Sequence, residues 1–242
     1  MKYKDRPYRY PIDIELSSKC TFKCIWCIHS EMENRWFDLS VDNLKKIINF
    51  INLNRDNIIY VWLAGYWEPL LNKDILNILD ELRALKGLFI VIPTRWGKFL
   101  TNKIIDKIQE LRDDWIDISV QFWLYSLKKE IVNKMCWVDH YDDLIDSIKR
   151  MKNLNFDFCL ELLLTKYSKI EVPSFNKFCE IIWVDSVIHR LHNHWWKLDN
   201  YEDLYIAWDT DPYYNYNWIC SFKPFLHIVD ECLLEHFVFI MI

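Results

Sequence analysis

The sequence predicts an α/β fold: a parallel sheet covered by helices, either open or rolled into part of a barrel. Three observations predict it. Strand-like and helix-like segments alternate six times between Tyr10 and Ile188. The strand segments are near-continuous apolar runs, as strands buried on both faces require. Of the 242 residues, 52% are hydrophobic, which is ample for one large core or two small ones. In such a sheet the functional groups stand at the C-terminal ends of the strands.

The elements follow in order. Tyr10–Leu16 alternates apolar and polar residues as a strand does. Ser40 caps a helix carrying Val41, Leu44, Ile47, Ile48 and Ile51 on one face. Ile58–Val61 is a short buried strand, and Asn72 caps a helix bearing Ile75, Leu76, Leu79 and Leu82. Leu88–Ile92 is the third strand, stopped by Pro93. Thr101 opens a helix through Ile104, Ile105, Ile108 and Leu111. Ile116, Ile118 and Val120 mark the fourth strand, followed by a helix around Tyr141–Met151 and a strand near Phe156–Leu164. Pro173-Ser174 starts a helix with Phe178, Ile181 and Ile182, and Val187-Ile188 reads as the sixth strand. Beyond residue 192 the alternation fades. Leu198–Trp218 is aromatic and acidic and reads as loop, and Phe225–Phe239 reads as two short strands with a turn near Asp230-Glu231.

Charge and composition narrow the function. With 30 Lys+Arg against 35 Asp+Glu, the net charge of −5 argues against nucleic-acid binding through bulk charge. No apolar run approaches the ~18 residues of a membrane span. The start, MKYKDRPYRYPIDIEL, has charges but no apolar h-region. A cytoplasmic location is therefore expected. The eight cysteines are then thiols for metal or redox chemistry rather than disulfides. Glycine and tryptophan are abnormal. Average usage of about 7% would give roughly 17 glycines, yet the chain has 3 Gly and 13 Trp. Several of the tryptophans sit in turn-like strings such as Asn34-Arg35-Trp36 and His194-Trp195-Trp196-Lys197, where glycine is expected.

Cys20-Thr-Phe-Lys-Cys24-Ile-Trp-Cys27 directly follows the first strand. Three thiolates spaced C-x3-C-x2-C can wrap one compact metal centre. A structural zinc site takes four ligands, and His29 supplies a fourth. A four-iron cluster normally takes four cysteines, so three would leave one iron open to a substrate or cofactor. Free thiols grouped by chance are the third reading. Cys136, Cys159, Cys179, Cys220 and Cys232 are scattered and read as buried apolar residues.

These residues resemble the radical S-adenosylmethionine (radical SAM) enzymes, in which C-x3-C-x2-C follows the first strand. Leu63-Ala64-Gly65-Tyr66-Trp67-Glu68-Pro69-Leu70-Leu71 resembles the family's GGEP-like segment after the second strand, with Trp67 at the second glycine. Pro93-Thr94-Arg95-Trp96-Gly97 resembles its T-N-G, and Ile116–Gln121 its fourth strand. Cys220–Asp230 resembles the start of the C-terminal extension in SPASM- or Twitch-type members, although Glu231 follows Asp230 and only Cys232 remains beyond it.

The resemblance implies a partial (β/α)6 TIM-like barrel over residues 1–192 and a short extension over 193–242. It implies a [4Fe-4S] cluster on Cys20, Cys24 and Cys27. It also implies S-adenosylmethionine held by Trp26, Gly65, Tyr66, Trp67, Glu68, Pro69, Thr94, Ser119 and Gln121. An electron from a flavodoxin or ferredoxin would cleave that cofactor to a 5′-deoxyadenosyl radical, which abstracts hydrogen from an unknown substrate, a peptide or small molecule. The competing readings are a non-catalytic zinc or iron–sulfur module and an inactive relative whose Trp67 obstructs the cofactor. Trp67, Trp96, Trp137 and Trp183 all stand where glycine fits. UGA means glycine in some bacterial lineages and tryptophan in a common alternative table, so translation with the wrong table would produce this pattern.

Overall fold

The computed structural model of the chain describes residues 10–25, 27, 37–63, 68–95, 97–190 and 238–239. Among them the elements run β1 (Tyr10–Asp13), α1 (Val41–Leu53), β2 (Ile58–Trp62), α2 (Ile75–Glu81), β3 (Phe89–Thr94), α3 (Asn102–Asp113), β4 (Ile118–Trp123), α4 (Lys129–Cys136), α5 (Tyr141–Asn153), β5 (Phe158–Leu164), α6 (Val172–Ile182), β6 (Asp185–Arg190) and β7 (Val238–Phe239). All neighbouring strands pair in parallel, in the order β6-β5-β4-β3-β2-β1-β7. The six sequential strands curl into a half-barrel, the α/β architecture that the sequence predicts. Among the described residues, no helix is long and apolar enough to cross a membrane.

Local chemistry fixes the helices. The Ser40 hydroxyl accepts the Asn43 N–H at the start of α1, and Leu44, Ile47, Ile48 and Ile51 recur on its buried face. Thr101 caps α3 through the Ile104 N–H in the same way. Alternation fixes the strands. Ile118, Val120 and Phe122 of β4 join Ile90, Ile92, Leu160 and Leu162 in the large core under the helices. Ser119, Gln121 and Trp123 therefore point to the opposite, concave face. Each fully buried Leu, Ile or Phe contributes roughly 1.5–3 kcal/mol.

The structure departs from the sequence reading in three places, and a fourth expectation is only partly described. β3 does not stop at Ile92 but runs through Pro93 to Thr94, paired with Gln121 and Phe122. The Leu63 N–H donates to the Val91 carbonyl, so the nitrogen of Pro93, two residues on, faces the same neighbour. A proline cannot return that bond, and the β2–β3 ladder ends there while the β3–β4 ladder continues. Asn72 does not cap α2; Asp74 precedes that helix, and the Asn72 amide is turned elsewhere. α4 is a helix that the sequence reading missed. Of the two strands expected over 225–239, only Val238–Phe239 is described, and it extends the core sheet beside β1; residues 225–237 lie outside the described residues.

Four non-glycine residues adopt positive φ among the described residues: Trp115 (65°), Trp137 (55°), Asn155 (50°) and Trp183 (56°). All lie just past helix ends. Trp115 and Ile116 donate to the carbonyls of Arg112 and Leu111, and Trp183 and Val184 to those of Glu180 and Cys179. This is the left-handed helix stop that glycine favours. The three indoles are 81%, 71% and 86% exposed, so they pack little while bearing the backbone strain. Gly97 illustrates the opposite need: a Cβ there would lie 2.1 Å from Ser147 Cβ on α5. Replacing Trp137 or Trp183 with Gly should stabilise the protein by about 1 kcal/mol each. Urea unfolding checks this, and an unchanged midpoint would contradict it.

Candidate functional site

The loop that carries the cysteines leaves β1 through a clamp. Residues 16–18 run antiparallel to 37–39: Ser18 N–H donates to the Phe37 carbonyl and Leu39 N–H to the Leu16 carbonyl, each at 2.9 Å. Lys19 pairs with Asp38, whose other oxygen accepts the Ser17 hydroxyl. The buried amide of Asn72 donates to the carbonyls of both Leu16 and Leu39 and takes the Asp74 N–H. The residue expected to cap a helix thus locks the two ends of the loop together.

Glu68 ties three strand ends to one another. Its N–H donates to the Lys19 carbonyl at 3.0 Å, which joins it to the cysteine loop. Its fully buried carboxylate accepts the Thr94 hydroxyl on Oε1 and the Arg95 N–H on Oε2, both at 3.0 Å from the end of β3. Burial pushes its pKa up to about 7, opposed by the Arg95 N–H and guanidinium, the Thr94 hydroxyl and the Leu70 N–H. Both oxygens are occupied inward, so Glu68 and Thr94 anchor the turn, and Pro69 opens the short 3-10 turn Pro69–Leu71 beside them. Gly65, Tyr66 and Trp67 lie outside the described residues, as do Trp26 and His29.

Cys20, Cys24 and Cys27 form no disulfide among the described residues. Cys24 and Cys27 are buried in a second apolar cluster with Phe22, Trp123, Tyr125, Met135, Cys136 and Leu163, and Cys20 packs against it. The loop is pinned to the C-terminal end of α4, where Ile25 N–H donates to the Met135 carbonyl (2.9 Å) and Lys23 N–H to the Cys136 carbonyl (3.3 Å). These carbonyls are among those that a helix end leaves without intrahelical partners. Cys136 beside it holds the Cys24 thiol low against its burial, helped by the Arg95 cation. Burial raises Cys20, with Arg95 opposing. Burial also works against the charge on Arg95, yet Tyr125, Cys24, Cys20 and Cys27 together hold its pKa well above normal. All three loop thiols thus act electrostatically on one buried cation, which lies 5.4 Å from the Trp123 ring. Among the described residues, no three His, Cys, Asp or Glu groups converge closely enough to grip a single metal ion.

Two further expected residues sit lower on the concave face. Ser119 is the second residue of β4, and its hydroxyl donates to the Asp157 carbonyl just before β5. It therefore stands at the N-terminal end of the sheet, away from the mouth, because β4 extends to Trp123 rather than ending near Gln121. Gln121 is mid-strand and donates to Glu161, whose other oxygen is 2.9 Å from His189 Nδ1. Asp13 of β1 is also buried, its Oδ1 has no hydrogen-bond partner among the described residues, and burial pushes its pKa up to about 7. The sequence reading missed Tyr125, Cys136, Glu161 and His189 as members of this region. Arg95 lay inside a quoted motif, and its charge could have singled it out.

Comparison with known proteins fits this geometry. The model of the Radical SAM superfamily matches residues 14–177. A probable GTP 3′,8-cyclase of Sulfurisphaera tokodaii is 27% identical over 182 residues, 75% of this chain and 55% of that protein. The GTPase Obg of Brachyspira hyodysenteriae is 30% identical over 107 residues, which are 43% of this chain and 15% of that one. The crystal structure of Streptococcus suis SuiB bound to S-adenosylmethionine superimposes with a TM-score of 0.63 at 19% identity, over 78% of this chain and 42% of SuiB. That likeness shows the fold. The chain spans about half the length of the cyclase and less of the other two.

Asp13 gives a pH test. A carboxyl whose pKa rises from 3.8 to about 7 on folding favours the folded state while it is protonated. Its contribution is full below about 4 and is lost as pH rises through about 7. In urea unfolding, the wild type should lose stability between pH 4.5 and 7.5, and Asp13→Asn should lose less. Parallel pH profiles would contradict the assignment.

Proposed function

The chain belongs to the radical SAM superfamily, and from that premise we propose that it binds a [4Fe-4S] cluster through Cys20, Cys24 and Cys27 and cleaves S-adenosylmethionine reductively. Members of the superfamily use that cluster and that cofactor. The observation that carries the proposal is the placement of the cysteine loop: Cys24 and Cys27 are buried in one cluster with Cys20 packed against it, and the Glu68 N–H ties the start of that loop to the mouth of the sheet. The donor set fits the cluster. Soft thiolates suit iron–sulfur ligation, and the Arg95 cation favours the charged form of Cys20 and Cys24. Three protein ligands leave one iron for S-adenosylmethionine. When bound, the cluster supplies the electron that yields a 5′-deoxyadenosyl radical for hydrogen abstraction.

The chain's own residues bind, orient and exclude water. Glu68 and Thr94 tie the start of the Pro69–Leu71 turn to the end of β3; Gly65, Tyr66, Trp67 and Trp26 are assigned to the cofactor by resemblance. Gln121 lines the concave face below, where the substrate enters. Residues 1–192 form the core and 193–242 an extension. The substrate is a peptide or small molecule. SuiB has been solved with its precursor peptide SuiA, and the cyclase relative is named for GTP. The electron donor is a flavodoxin or ferredoxin, and the protein works in the cytoplasm.

Anaerobic reconstitution tests the proposal. The protein should take up about four iron per chain and release 5′-deoxyadenosine from S-adenosylmethionine with a strong reductant. Cys20→Ala, Cys24→Ala or Cys27→Ala should abolish both. A colourless protein holding one zinc would overturn it. Cleavage by Trp67→Gly but not by the unchanged chain would assign the obstruction to that indole.

A further inference from the structure

The chain as a whole is acidic, at −5, yet the surface beside the cysteine loop carries exposed lysines. We propose that Lys23, Lys134, Tyr167 and Ile170 mark the docking surface for a small, acidic one-electron carrier protein, an inference that rests on the function proposed above. Lys23 stands between Cys20 and Cys24 and is exposed. Its N–H donates to the Cys136 carbonyl and the Ile25 N–H to the Met135 carbonyl, so the loop lies along the end of α4. Lys134 is exposed on that same last turn, and its ammonium lies 4.9 Å from the centre of the Tyr167 ring. Tyr167 is 39% exposed and Ile170, a few residues on, is 78% exposed.

The neighbouring carboxylates do not cancel this charge. Asp142 is ion-paired with Lys129, and Asp139 accepts the Asn133 amide at 2.7 Å with the Lys129 ammonium at 3.7 Å. Glu171 is buried and accepts the Ser126 hydroxyl (2.9 and 2.8 Å) and the Leu127 N–H (2.7 Å). Glu130 is exposed one turn before Lys134. Neither Lys23 nor Lys134 forms an ion pair among the described residues. Lys128, just before α4, and Lys166 and Lys169, on either side of Tyr167, are exposed too and add charge of the same sign.

The thiols lie directly behind this surface. Met135 and Cys136 share a buried cluster with Cys24 and Cys27, while Lys134, the residue before them, meets solvent. One turn of helix therefore separates the exposed lysine from the loop assigned to the cluster. The step served is a single electron transfer: the reduced carrier loses one electron, the cluster gains it, and no bond forms or breaks at the surface. Electron carriers make small, transient interfaces, in which complementary charge sets the association rate and the orientation. Two exposed apolar side chains flanked by lysines suit such a contact. The Tyr167 ring also holds Lys134 in place, so less side-chain freedom is lost on docking.

The test measures docking and electron delivery separately, on the anaerobically loaded protein with iron content determined for each sample. The probes are a flavodoxin and a ferredoxin, each of net negative charge. At least one should bind at low salt and bind more weakly as salt rises. Lys134→Glu and Lys23→Glu should each weaken that binding about tenfold, and Lys46→Glu, on α1, should leave it unchanged. Release of 5′-deoxyadenosine driven by the reduced carrier should fall in step. Release driven by dithionite, which needs no docking, should be unchanged in Lys134→Glu. If Lys23→Glu takes up less iron, Lys134→Glu decides. Wild-type affinity in Lys134→Glu, equal weakening by Lys46→Glu, or no salt-sensitive binding of either carrier would overturn the inference and leave the proposed function standing. A protein that takes no iron, or that releases no 5′-deoxyadenosine even with dithionite, overturns the proposed function, and this inference with it.

Discussion

A single buried carboxylate governs the mouth of this half-barrel. Taking Glu68 out of water costs several kcal/mol unless donors replace the lost solvent. The donors come from the end of β3, the Thr94 hydroxyl and the Arg95 N–H, while the Glu68 N–H reaches back to Lys19 after β1. Three strand ends are thereby fixed to one residue. Its pKa still rises to about 7, so burial outweighs the donors that oppose it. Arg95 completes the arrangement: the residue whose backbone serves Glu68 carries the cation that acts electrostatically on the three loop thiols. The acidic anchor and that cation thus share one backbone position.

The cysteine loop is held by structure that is distant in sequence. Its base is closed by the Leu16–Leu39 clamp and the Asn72 amide, and its middle rests on the carbonyls that end α4. Using helix-end carbonyls in this way satisfies both partners, because the helix cannot pair them internally and the buried loop needs acceptors for its N–H groups. The described part of the loop is thus fixed by backbone hydrogen bonds rather than by its thiols.

The fold was legible in the sequence because apolar periodicity and parallel-sheet burial are local signals. The three loop cysteines and the Glu68 segment were legible because spacing within one loop survives folding. What could not be read was contact between distant elements. Cys136 looks like any buried cysteine until α4 brings it to Cys24. Glu161 and His189 meet only across the β5–β6 pairing. Asn72 has the sequence context of a helix cap, yet two buried carbonyls compete successfully for its amide. Ser119 and Pro93 were misplaced for one reason: the strands run farther than their apolar runs. The tryptophans are the reverse case. Glycine's absence from turn-like strings pointed to helix stops at Trp137 and Trp183, and there the backbone does take the left-handed turn.

The account stands on one claim, that the loop over Cys20–Cys27 holds an iron–sulfur cluster with a position open to S-adenosylmethionine. Electron paramagnetic resonance of the loaded, reduced protein, recorded before and after adding S-adenosylmethionine, tests it most directly. The account predicts a reduced four-iron signal whose g-values shift when the cofactor is added. A signal indifferent to S-adenosylmethionine, or no iron–sulfur signal at all, would contradict it.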